Sequence, residues 1–484
     1  MTSTIDGHKV LASADSSSFT SLRHRPTSRA ERTAMGKAFR KQVPRRAMAA
    51  WEPPTDRPDP ITLLNASHRG RVDELIPVRV GRMVSSPYGF LRGTAVVMAE
   101  DVASMASTGI QPVVCGDAHL GNFGFYGSPE GELVLDLNDF DEAHPGAWEW
   151  DLRRLVASIW VAGRENGLSE DECRDAVESC VAAYRDEVRF LAHEPLLMRS
   201  YNRLDVGRLH ETATEKGLRK EIKRSVKKAK KRTSDRVLPK FTHEQDGERR
   251  IVEEPPLIRR VTDRKAELIG RGLDRYLQTL APHWSRALGG YTIQDVAHKV
   301  VGVGSVGLRA YVALLEGSSD DDVVFLQMKQ ARRSVLAKYV HGDSALHDHQ
   351  GQRVVEYQQA LQTVSDPLLG WTTIDNRQYY VRQFRNMKGT VPLDSMDASS
   401  LADYAGIVGH LLAKGHARTS GASMIAGYVG KGDSLDRALG DFALAYADQT
   451  ERDHARLVVA ARNGRIPVSE GALDSMGSAF RPGG

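Results

Sequence analysis

The sequence predicts an α+β chain folded as two lobes, and three observations predict it. Apolar residues fall at helical spacing in several segments ahead of residue 285, and the chain reads as helical again beyond residue 398. Between them, from Tyr291 to Phe384, the texture turns to β-branched and aromatic runs separated by turn formers. With 484 residues, the chain exceeds one average domain and is long enough for each texture to own a core.

The elements follow in order. The first 30 residues are polar, lack an apolar signal core and are expected to be a disordered leader. A helical lobe is expected over 31–285. Its segment from Arg79 to Gly93, arginine-rich and bounded by glycines, suits either a loop near an anionic ligand or a purely structural role. Within this lobe, Phe123 to Tyr126 and Leu133 to Leu137 read as strands around a Gly-Ser-Pro-Glu-Gly turn. A helix opening near Asp151 and a second one after Ser169 carry apolar stripes, and a helical insert runs from about 160 to 285. The strand-rich lobe spans 286–395, with strands Arg309 to Leu315, Val323 to Lys329 and Gln378 to Phe384. One helix, from about Gln350 to Val364, lies between the last two. Helices from Tyr404 to His416 and Ser434 to Asn463, within 396–484, return to the helical lobe.

Composition narrows the function classes. No apolar run reaches the roughly 18 residues of a membrane span, so no membrane partner is expected. Three cysteines without a CxxC pair point to a reduced, cytoplasmic setting. The net charge of +4 is uneven. From Leu218 to Arg232 (LRKEIKRSVKKAKKR) nine Lys/Arg meet one Glu, so the remainder of the chain is net negative. This reads as a solvated helix with a basic face, or else as an arm contacting phosphates or nucleic acid. No aromatic residue interleaves it to stack on bases.

Chemistry concentrates in two places. In the strand-rich lobe, VVGVGSVGLRAYVALLEG holds Gly302, Gly304, Ser305 and Gly307. Alone, GxGxxG is a weak signal, since dinucleotide sites share its spelling. Here the third glycine leads into a β-rich run, then a turn, then a strand carrying Lys329, as in a kinase-type phosphate cover. Glycines let backbone N–H groups approach phosphates, and Lys329 would reach the α- and β-phosphates of ATP. Glu356, on the next helix, is the expected carboxylate partner of Lys329. The second place is CGDAHLGN followed by LNDFDEA. Asp117 and Asn122 have the D-x-x-x-x-N spacing of a catalytic loop. Asp117 would accept the proton of a substrate hydroxyl. Asn122 and Asp139, with Asp141 beside them, would hold Mg²⁺ through hard oxygens. Asp136 is a rival for the place of Asp139, and Asp151 either braces the loop or caps its own helix.

GDAHLGN with DFDEAHPGAWEWDL resembles the motifs of aminoglycoside and choline phosphotransferases, small-molecule relatives of protein kinases. Together with GVGSVGLRAYVALL, QMKQA, QRVVE and LAKGHARTSG, the chain from about 30 to 465 is similar to a bacterial family of unknown function. The resemblance implies a protein-kinase-like fold, with Cys115 standing where the phosphotransferases commonly have His. Gly302 follows Asn122 by 180 residues, the reverse of the usual order, so a circular permutation is expected. The helix from Tyr404 to His416 would be the one that normally precedes the catalytic loop, with a hinge from Arg382 to Asn386. The expected activity is transfer of the γ-phosphoryl group of ATP to a hydroxyl, with a small molecule as acceptor. A nucleotidyl transferase or metal phosphohydrolase on the same scaffold, or a non-catalytic nucleotide-binding regulator, are the alternatives.

Overall fold

The structure, a computed structural model, describes residues 27–469 apart from 202, 246, 256, 301–305, 341–346, 385 and 420. The expected leader lies outside the described residues up to 26. Beyond that point Ser28 already starts a helix, Arg29–Gln42, through a reciprocal capping box with Glu31.

The architecture is mixed α+β. The largest core is helical. Trp148–Glu165, Glu170–Leu191, Ala398–Arg418 and Ser434–Arg462 surround it, and Trp148, Trp160, Tyr184 and Tyr404 fill it. Their starts follow local chemistry. Ser169 and Glu172 form a second capping box, and the Asp397 carboxylate accepts from the N–H of Ser400. The helices Glu170–Leu191 and Ala398–Arg418 approach so closely that a Cβ on Gly409 would collide with the Cys180 carbonyl.

The main sheet is antiparallel and six-stranded. From edge to edge it runs Gly370–Ile374, Arg377–Gln383, Val323–Gln330, Ala310–Glu316, Thr292–Lys299 and Ile258–Arg260. Alternate residues face opposite sides. Tyr311, Ala313 and Leu315 pack with Ile269 and Tyr276 of the helix Asp263–Leu277, whereas Val312 and Leu314 pack with Phe241, Phe325 and Phe384. With both faces covered, the central strands are apolar almost throughout.

Several boundaries differ from expectation. The insert is not wholly helical: it holds the hairpin Thr242–Gln245 and Glu248–Ile251, and the edge strand Ile258–Arg260. That strand and the helix Asp263–Leu277 belong to the cores of the sheet, which therefore begin ahead of residue 286. Gly370–Ile374 is a further strand, paired to Arg377–Gln383 through a turn in which Asp375 and Asn376 take positive φ. The stretch from Arg79 to Gly93 is helical, in Ile76–Val84 and Pro87–Gly93, rather than a loop. The basic run forms the helix Lys216–Ala229. It buries Leu218, Ile222, Ser225 and Ala229 and leaves most of its lysines exposed.

Gly409→Ala is expected to destabilise the chain by about 1–3 kcal/mol, the usual cost of overpacking a close contact. Gly432→Ala, with open space around it, should change little. Chemical denaturation of both variants measures the difference.

Candidate active site

Antiparallel register brings the two polar clusters together. Phe123–Gly127 pairs with Leu133–Leu137, and Phe123 lies opposite Leu137. The segments just outside the hairpin, 115–122 and 138–142, must then lie side by side. The N–H of Asn138 donates to the carbonyl of Asn122 at 3.0 Å and ties them.

Asp151 braces the first segment. It sits inside Trp148–Glu165 rather than capping it, and accepts from the N–H groups of Cys115 at 2.6 Å and Gly116 at 2.8 Å. Gly116 has φ +78°, and a Cβ there would strike the Glu142 carbonyl. His416 lies 3.3 Å from Asp151 and 2.8 Å from the Tyr184 hydroxyl, fully buried. A helix from the far end of the chain thereby holds the loop.

The side chains then take distinct roles. Asp117 accepts two hydrogen bonds from Arg154, at 2.9 and 2.7 Å. Burial pushes its carboxyl up to about 7, although Arg154 pulls the other way. Asn122 commits its amide N–H₂ to the carbonyls of Asp117 at 3.0 Å and Asp139 at 3.2 Å. This fixes the amide orientation and leaves the side-chain oxygen for a ligand. Asp139 is 42% exposed, so its carboxylate is accessible at the cavity. Asp136 is buried elsewhere, accepting from the N–H groups of Leu137 and Thr363, and does not line the cavity.

Lys329 is buried and comes from the sheet. Its ammonium lies 3.1 Å from Asp141 and 3.7 Å from Asp139. Tyr380, opposite Lys329 in the register, donates to Asp141 at 2.7 Å. Burial opposes the charge of Asp141, yet Lys329 and Tyr380 hold its carboxyl down to about 2. Glu356 is not the partner of Lys329. It binds His347 at 2.6 Å and Gln352 at 2.7 Å. The same helix, Gln350–Leu361, instead sends the buried Arg353 toward the turn, where it donates to the carbonyls of Asp141, Ala143 and Arg332. Of the glycine loop, Gly302, Gly304 and Ser305 lie outside the described residues. Gly307, with φ +87°, accepts from the N–H of Val72, and Val306 accepts from Arg71.

Asp117, Asn122, Asp139, Asp141 and Glu142 line a cavity of about 310 Å³, and Lys329 reaches it only through its pairing with Asp139 and Asp141. Arg71, Arg79, Arg92 and Arg332 line it as well. Among the described residues no group of three or more His, Cys, Asp or Glu is arranged to hold a metal ion. Asn122 with Asp139 still suits Mg²⁺, which takes few ligands from protein and completes its shell with water and phosphate oxygens. Arg154, Arg353 and Tyr380 escaped sequence reasoning. The doubled arginine in WEWDLRRL was the available signal for Arg154, in a helix read only through its apolar stripe.

The chain belongs to the bacterial family described as "Uncharacterized protein conserved in bacteria (DUF2252)", whose model matches residues 71–460. No curated protein and no solved structure matches it.

The two aspartates have opposite linkage. Asp117 holds its proton more tightly when folded than when unfolded, where it titrates near pH 3.9. The resulting stability is full below about pH 4 and is lost as pH rises toward about 7. Asp141 is the reverse: its contribution is present above about pH 4 and is lost on acidification toward 2. Asp117→Asn should therefore flatten the decline in melting temperature between pH 4 and 7. Parallel parent and variant curves would contradict the assignment.

Proposed function

We propose that this protein is an ATP- and Mg²⁺-dependent phosphotransferase that moves the γ-phosphoryl group to a hydroxyl of a small molecule. The observation that carries this reading is convergence. A buried lysine from the sheet meets the acidic turn beside a loop holding Asp117 and an oriented Asn122. Supporting it are the glycine-rich segment ahead of the Lys329 strand and the order of elements expected of a permuted, kinase-like, two-lobed fold.

In this reading the substrate oxygen attacks the γ-phosphorus, and its proton passes to the Asp117 carboxylate. The bond between that phosphorus and the bridging oxygen breaks, and ADP leaves. Arg154 keeps Asp117 oriented through two hydrogen bonds. Lys329 supplies a fixed positive charge for the phosphates, and Asn122 and Asp139 would hold Mg²⁺, which neutralises developing charge when bound. The work of the protein is positioning and electrostatics. A cytoplasmic setting and a small-molecule acceptor belong to the same proposal. Among the described residues no helix is long and apolar enough to cross a membrane.

The test uses ATP labelled in either the α- or the γ-phosphate, incubated with the protein, Mg²⁺ and a bacterial small-molecule extract. Label should reach an acceptor from the γ position only. Asp117→Ala should slow transfer by about 10²–10⁴-fold, with ATP affinity kept within a small factor. Label arriving from the α-phosphate would replace this reading with nucleotidyl transfer. Release of free phosphate alone would replace it with hydrolysis.

A further inference from the structure

The arginines of the cavity are not used by the proposed chemistry, and their bonding is unusual. Three of them converge on the last residue of the helix Pro60–Ser67. The Ser67 carbonyl accepts from Arg71 at 3.2 Å and from Arg332 at 3.1 Å, and the Ser67 hydroxyl accepts from Arg79 at 3.4 Å. The other bonds of Arg71 and Arg79 also go to carbonyls, those of Val306 and Gly93. Among the described residues none of the three, nor Arg92, forms an ion pair with a carboxylate. Arg79 is only 2% exposed, and among the described residues its Nε–H has no partner. The Nε–H of Arg92 is likewise buried and, among the described residues, without a partner.

Such an arrangement costs free energy. Like charges are gathered in a partly dry cavity, and donors are left unsatisfied. Burial, and then Arg332, draw Arg71 down to about 10, against the opposing pull of Glu142 and Asp141. His68, beside them, is drawn down to about 4 by burial and by Arg79 and Arg71, so it adds no charge near neutral pH. The helix C-terminus at Ser67 gathers the arginines but cannot neutralise them. Guanidinium groups present planar, forked donors that match tetrahedral oxyanions. Of the carboxylates lining the cavity, Glu142 and Asp141 act on Arg71, and Glu142 on Arg332, through the field, but among the described residues none bonds to these arginines. Asp117 is held by Arg154, and Asp141 by Lys329 and Tyr380. Glu142 accepts from the N–H of Val335.

We infer that Arg71, Arg79 and Arg332, with Arg92 at their side, form a binding site for a phosphate-class oxyanion. That group arrives either as an anionic part of the acceptor or as the terminal phosphate of a nucleotide. The site itself stands without the phosphotransferase reading; only the choice between these two sources rests on it.

The test is thermal unfolding and calorimetric titration of the full chain with inorganic phosphate and with sulfate, against chloride at equal ionic strength and without nucleotide. Phosphate and sulfate should raise the melting temperature beyond chloride. Arg71→Gln and Arg332→Gln, both milder than a change at the buried Arg79, should each weaken phosphate by about tenfold or more, the loss of one charge-assisted hydrogen bond. Lys227→Gln with Lys228→Gln, on the basic helix, should leave it unchanged. Equal responses to all three salts would overturn the site, as would phosphate affinity that survives both arginine variants. A response that follows the basic helix instead would also overturn it. Repeating the titration with saturating ADP or ATP and Mg²⁺ separates the sources. Phosphate binding kept under both nucleotides assigns the site to the acceptor. Binding kept under ADP but lost under ATP assigns it to the terminal phosphate. If neither nucleotide binds, the phosphotransferase reading fails while the oxyanion site stands on the first arm.

Discussion

A lysine ammonium buried at the centre of a sheet is costly unless it is paired and hydrogen-bonded. Lys329 meets this requirement only because the turn after Leu137 delivers Asp139 and Asp141 to it. The turn in turn depends on the sheet, since Tyr380 and Lys329 both hold Asp141, and Arg353 holds its carbonyl. Sheet, helix and hairpin are thus locked by one charge pair and its satellites. Removing either partner would leave an uncompensated buried charge, worth about 3–5 kcal/mol in comparable cases. Asp139 meets both the lysine, through its carboxylate, and Asn122, through its carbonyl, so structural necessity and the proposed chemistry share this residue.

A second dependence runs through Asp151. Its carboxylate organises Cys115 and Gly116 and is met by His416, from a helix that follows the sheet in the chain. The loop is therefore assembled from opposite ends of the polypeptide. The order of elements matters less than the packing that returns the last helices to the first core. This is the physical condition under which a permuted order would remain foldable.

Much of the fold was legible where the pattern is local. The hairpin around Gly127, the start of the helix at Ser169 and the strand carrying Lys329 follow from alternation, turn residues and caps. That Asp117, Asn122, Asp139 and Asp141 come to one cavity was legible because the two polar clusters flank the ends of a single hairpin. Features set by distant contacts were not legible. Ile258–Arg260 is a three-residue edge strand whose only signature is the sheet it joins. Glu356 was chosen as the lysine partner on charge and spacing, but the helix turns Arg353 inward, and the pairing falls to residues 188 and 190 positions upstream of Lys329. Arginines such as Arg154 and Arg353 carry no sequence signal of their burial, and for Arg79 only burial separates a ligand-facing from a structural place.

The most direct measurement is thermal unfolding with and without ATP and Mg²⁺, on the parent and on Asp139→Ala. A ligand that binds only the folded chain stabilises it by about 2.7 kcal/mol at a hundredfold excess over its dissociation constant. A Mg²⁺-dependent rise in the parent melting temperature, lost in Asp139→Ala, is the expected result. No rise in the parent, or an equal rise in the variant, would contradict a metal–nucleotide site at Asn122, Asp139 and Lys329.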